Sequence, residues 1–150
     1  MYLEKLDPNL EAQVWRRIAG QPQPERGDLR PLLLMAWEQA QVLRHLMGLL
    51  PGKSRERMKS LSEAAMRSVD AIKGILAMSG QPVGKLRAQP IPKELPRRLL
   101  EKAYHRAMRL MTEYTARSMD PEFGVVWQVL ADRERENGAV LAEVMGGMEL

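Results

Sequence analysis

Few residues in this 150-residue chain are placed to do chemistry, and the best placed are a Glu-x-x-Asn pair, Glu134 and Asn137. The surrounding stretch, Asp120 to Met145, opens with a helix-start signal at Asp120-Pro121-Glu122. It then carries an apolar line of Phe123, Trp127, Leu130, Leu141 and Val144. Residues three apart share a helix face, so Glu134 and Asn137 interrupt the side that should be buried. A carboxylate removed from water is costly unless it is paired, hydrogen-bonded or metal-bound. This pair is therefore where a site is expected.

Other polar candidates read as surface. Glu38 and His45 share the side of their helix that also collects Gln41 and Arg44, away from its apolar line. Glu63 lies with Glu56, Lys59, Arg67 and Asp70 on an outer face, where four-residue spacing makes it half of a surface ion pair. His105 belongs to a charged face with Arg98, Lys102, Arg106 and Arg109. That face is the best basic stripe in the chain, but Glu101 and Glu113 break it up. There is no cysteine, which excludes disulfides, thiolate zinc sites and cysteine nucleophiles. No glycine-rich phosphate loop lies between a strand and a helix, and no Ser-His-acid arrangement has a recognisable spacing.

The elements that must position Glu134 are helices. Hydrophobic residues make up 45% of the chain but aromatic ones only 5%, with Leu, Ala and Met abundant and no two-residue alternation. Asp7-Pro8 starts a short helix carrying Leu10, Val14, Trp15 and Ile18, and a Pro-rich linker follows it, so residues 1–27 form an appendage and 28–150 one helical domain. Asp28 caps a first long helix whose inner line is Leu29, Leu33, Ala36, Ala40, Leu43, Met47 and Leu50. After Pro51-Gly52-Lys53, Ser54 caps a second, with Met58, Leu61, Ala65, Ser68, Ile72 and Ile75 inside. So short a loop makes the two antiparallel neighbours.

Residues 80 to 92 are too rich in Pro and Gly for a helix interior. Roughly fifteen extended residues can cross the ~30 Å length of a bundle. A third helix from Lys93 to Ser118 buries Leu99, Ala103, Ala107, Leu110 and Tyr114, and a short link delivers the fourth as its antiparallel partner. The expected fold is all-α: hairpin, long crossover, hairpin, which is the ferritin-like four-helix topology, with a short N-terminal helix in front.

At this point the chain resembles the ferritin-like superfamily, in particular rubrerythrin-related bacterial domains, over about residues 29 to 145. The most specific segment is Leu61 to Ile75 followed by Gly80, where the resemblance implies a leucine, a Glu-x-x-His, an apolar residue, a glycine and the helix end. Such bundles hold two iron or manganese ions through carboxylates on all four helices and a Glu-x-x-His on two of them. Matched position by position, Ala36 stands at the first-helix Glu, Ala65 and Ser68 at the second-helix Glu and His, and Ala107 at the third-helix Glu. The fourth helix retains Glu134, with Asn137 in place of its His. Helical spacing independently puts these six positions on inner lines.

A degenerate metal site is the consequence, with no catalytic or cofactor-binding residue expected and a structural or protein-interaction role for the bundle. The alternative is an iron- or manganese-dependent oxidase or peroxide-handling enzyme with an irregular set of Glu38, Glu63 and Glu134, joined by Met66 and His45. It would turn two apolar helix faces to water, at roughly 25 cal/mol per Å² exposed. A net charge of +4 with dispersed basic residues makes nucleic acid an unexpected partner, and a protein partner or a second copy is expected instead. The first residues do not read as a leader and no run reaches the ~18 apolar residues of a membrane span, so the cytoplasm is the expected location.

Overall fold

The computed structural model describes residues 26–148. The helix expected around Leu10 to Ile18, and the linker as far as Glu25, lie outside the described residues. Within them the chain forms four helices and no strand: α1 (Arg30–Leu49), α2 (Gly52–Met78), α3 (Pro96–Ala116) and α4 (Gly124–Gly146). Among the described residues, no helix is long and apolar enough to cross a membrane.

The path of the chain follows from its hydrogen bonds. Leu50 and Pro51 alone separate α1 from α2, which folds back along it. The segment after Met78 is then stitched to α1 from just before its start as far as Gln41. The Gln81 side chain donates to the Gly27 carbonyl (2.7 Å) and accepts from the Leu29 N–H (2.9 Å). Trp37 Nε1 donates to the Arg87 carbonyl (2.9 Å), and Gln41 accepts from the Gln89 N–H (3.0 Å). The segment thus runs beside α1 in the same direction and lets α3 start at the far end. Arg57 meets Glu143 at 2.8 Å, which sets α2 against α4 in opposite directions. The bundle runs up, down, down, up, with every packed neighbour antiparallel. That arrangement lets ridges of side chains interdigitate around one core.

The inner rows become that core because each is apolar at helical spacing. Leu99, Ala103, Ala107, Leu110 and Tyr114 are all buried, as are Met58, Leu61, Ala65, Ser68, Ile72 and Ile75. Each fully buried Leu or Ile contributes about 1.5–3 kcal/mol. Met47, expected inside, is only half-buried, and Leu32, Val42 and Leu46 fill α1's share of the core more completely.

Helix starts differ from their expected positions. α1 begins at Arg30; Asp28 accepts from the Arg30 N–H (3.0 Å), but the cap position is Leu29. α2 begins at Gly52 and not at Ser54, because the chain turns directly at Pro51. α3 is shorter than expected, since Pro92 and Pro96 keep residues 93–95 out of the helix. Asp120 works one turn early: its carboxylate accepts from the N–H groups of Glu122 (2.8 Å) and Phe123 (3.0 Å), forming a turn before α4 begins at Gly124.

That turn is fastened to the start of α1. Arg26 binds the Asp120 carboxylate, lies 3.4 Å from Glu122 and stacks over the Phe123 ring at 4.7 Å. Arg26 and Gly27 therefore contact the end of the bundle.

Gly124 is required at this junction. A Cβ there would sit 2.3 Å from the Ser118 carbonyl oxygen, a backbone atom that cannot swing aside. A Cβ on Gly138 would meet the Met108 methyl at the same 2.3 Å, but a methionine end can move. Chemical denaturation should show Gly124→Ala losing about 2–3 kcal/mol through overpacking, and Gly138→Ala changing by less than about 1 kcal/mol.

Candidate functional site

Glu134 lies at the middle of α4 and is 1% exposed. Asn137, Ser68, Ala36, Ala65 and Ala107, the other five positions the resemblance singles out, are buried as well. Contacts between helices put them in one layer. The Gln39 side chain donates to the Ala103 carbonyl (2.8 Å), so three residues back on α1 and four residues on along antiparallel α3 bring Ala36 and Ala107 to the same height. Arg133 donates to the Ser68 hydroxyl (3.0 Å) and fixes α4 against α2 near the same level. The layer holds one carboxylate, one amide, one hydroxyl and three alanines.

The polar groups of this interior are poorly satisfied. Glu134 Oε2, Asn137 Nδ2, the Tyr114 hydroxyl and Trp127 Nε1 are buried, and each lacks a hydrogen-bond partner among the described residues. An unsatisfied buried polar group costs about 1–3 kcal/mol. Tyr114 and Trp127 stack across α3 and α4, with centroids 5.8 Å apart and planes at 25°. Burial pushes the Glu134 carboxyl up to about 7, with the nearby Arg133 pulling weakly the other way. Burial also raises the Tyr114 hydroxyl far above its ordinary range, and the charge of Glu134 adds to that rise. Near neutral pH the site offers one proton-exchanging carboxyl in an apolar setting.

The other candidates do not join it. Glu38 is at the surface, 3.1 Å from Arg106. Glu63 is exposed and, contrary to its expected pairing along α2, makes no ion pair among the described residues. His45 and His105 are exposed and Met66 is half-buried in an outer groove. Among the described residues, no group of three or more His, Cys, Asp or Glu could hold a metal ion. Glu38, Glu63 and Glu134 are thus not brought together, and Glu134 with Asn137 does not fit a two-metal centre, which needs several bridging carboxylates.

The basic stripe on α3 is largely neutralised. Arg98 approaches Glu101 (3.8 Å), Lys102 pairs with Glu94, and Arg106 reaches Glu38 and Gln39.

Two interhelical contacts are made by residues outside the expected site. Gln39 is buried, donating to Ala103 and accepting from Arg106 Nη1 (3.0 Å), and it draws Arg106 inward from the outer face where the pattern places it. Its signal was its spacing: three residues after Ala36 and four before Leu43, it stands on the apolar line. Arg133, next to Glu134, is the second, because it turns to Ser68 on α2.

No protein-family model matches the chain, and no curated protein or solved structure is significantly similar to it.

The raised Glu134 pKa has a sign that can be measured. Its protonated form is favoured in the folded state, so stability is fully present below the ordinary value of 4.5 and is lost as pH rises to about 7. That interval corresponds to about 3 kcal/mol. Glu134→Gln should remove this slope and be the more stable protein at pH 8, with both proteins alike near pH 4. Paired urea melts at the two pH values check this.

Proposed function

We propose that this chain is a ferritin-like bundle whose two-metal ligands have been replaced, and that it works as a non-catalytic structural or protein-interaction module. One observation carries the reading: the buried layer around Glu134 presents Ala36, Ala65, Ser68 and Ala107 where the resemblance calls for Glu and His. The two hairpins joined by one long crossover support the same assignment. Alanines cannot ligate, and replacing a wet metal cage by small apolar residues lets the helices pack as an ordinary core.

The outer surface supports the interaction half of the reading. Val125 and Val129 lie one turn apart on α4 and are 75% and 50% exposed. Such neighbours are costly to leave in water and suit a protein contact, either with another chain or with a second copy.

Metal content tests the proposal. The full chain produced with iron and manganese in the medium, then purified without chelator, should carry far less than one metal ion per chain by elemental analysis. Roughly two ions per chain, as a working centre of this type holds, would overturn it.

A further inference from the structure

Outside the Glu134 layer, a groove with a volume of about 540 Å³ runs on the outer side of the α1–α2 hairpin. Its floor is apolar, made by Ala40, Met47 and Met66, and its rim is basic: Arg44 on α1, Lys59 and Arg67 on α2. None of the three cations makes an ion pair among the described residues. The one carboxylate on the rim, Glu63, is also unpaired, so three positive charges face the groove against one negative.

The geometry points to this groove as a docking site for an acidic amphipathic helix of a partner protein, one whose apolar stripe lies on Met47 and Met66 while its flanking carboxylates meet Arg44, Lys59 and Arg67. The inference rests on the interaction-module reading and names the chemistry of the partner.

Length favours a helix. Ala40 to Met47 covers two turns of α1, about 10 Å, which matches the i, i+3 or i+4, i+7 anchors of a helix laid in a groove. Methionine thioethers are flexible and polarizable and adapt to the side chains they receive. Charge placement argues against a single-headed ligand. Lys59 and Arg67 are eight residues apart, about 12 Å along α2, with Arg44 on the opposite wall. One fatty-acid carboxylate reaches one of these cations, whereas carboxylates spaced along a helix reach all three. Opposite charges across the contact steer association and fix register, and salt weakens them.

The test uses the full chain with ¹³C-labelled methionine methyl groups. The probe is a synthetic helical peptide with leucines at i, i+3 and i+7 flanked by glutamates. The Met47 and Met66 signals should shift and saturate while those of buried Met58 stay fixed. The apparent Kd should rise about tenfold in Arg44→Glu/Arg67→Glu, and also in high salt, with circular dichroism unchanged. Glu63→Gln, which keeps the fold out of question, should tighten binding several-fold.

An unmoved spectrum overturns the inference, as does equal binding by the charge-reversed variant. Shifts with dodecanoate or anionic phosphatidylglycerol vesicles but not with the peptide would assign the groove to a lipid and overturn it. Shifts that follow protein concentration alone would assign it to a second copy, with the same result. Failure here with a metal-free protein removes the groove and leaves the module reading standing; a metal-loaded protein removes the module reading whatever the peptide does.

Discussion

A carboxyl group held out of water at the centre of the bundle is the constraint on which the rest of this structure turns. Glu134 sits between helices whose facing residues are small and uncharged, and its second oxygen has no hydrogen-bond partner among the described residues. Ionising it there would leave a nearly bare charge in an apolar interior, so the protein favours the protonated form up to about pH 7. The neighbours fit this state. Arg133, the nearest cation, spends a donor on Ser68, while Tyr114 stacks on Trp127. Among the described residues Glu134 belongs to no group of three or more His, Cys, Asp or Glu that could hold a metal ion.

The opposite kind of electrostatics holds the end of the bundle. Burial alone would raise the Asp120 carboxyl, but hydrogen bonds from Arg26 and from the Phe123 and Glu122 N–H groups, with the Arg26 charge, hold it below its ordinary value. The cluster ties the chain just before α1 to the turn that starts α4, and Arg26 also reaches the Ser79 hydroxyl at 3.4 Å. Three separated stretches of sequence meet there. Together with the crossover laid along α1, it fixes the order of helices around the core and so determines which residues face Glu134.

Much of this was legible in the sequence, and the reason is periodicity. All four inner rows are apolar at helical spacing, and the predicted interior residues of α2, α3 and α4 are buried almost without exception. The crossover was readable because Pro and Gly exclude a helix there. The burial of Glu134 was readable because it falls on the apolar line that Leu130 and Leu141 carry on either side of it. Gln39 stands on the apolar line but is of a type that usually faces water; its bond to the Ala103 carbonyl accounts for its burial, and its side-chain oxygen in turn draws Arg106 inward. Helix starts also slipped. Asp28, Ser54 and Asp120 are good capping residues, but a turn preceding the helix can use the same carboxylate or be closed by Pro and Gly alone. The cation-rimmed groove of α1 and α2 could not be read from either helix singly, because the residues of its two walls are 12 or more apart in the chain.

The state of one side chain separates a lone buried carboxyl from a ligand. With the carboxyl carbons of the glutamates labelled and Glu134→Gln used to assign the signal, a ¹³C titration of the full chain should place the Glu134 midpoint near 7. A midpoint at the ordinary value of 4.5 would mean that water reaches it and that the helix register described is wrong. A group ionised well below that value would mean that a cation holds it, and the account of a ligand-stripped bundle would fail.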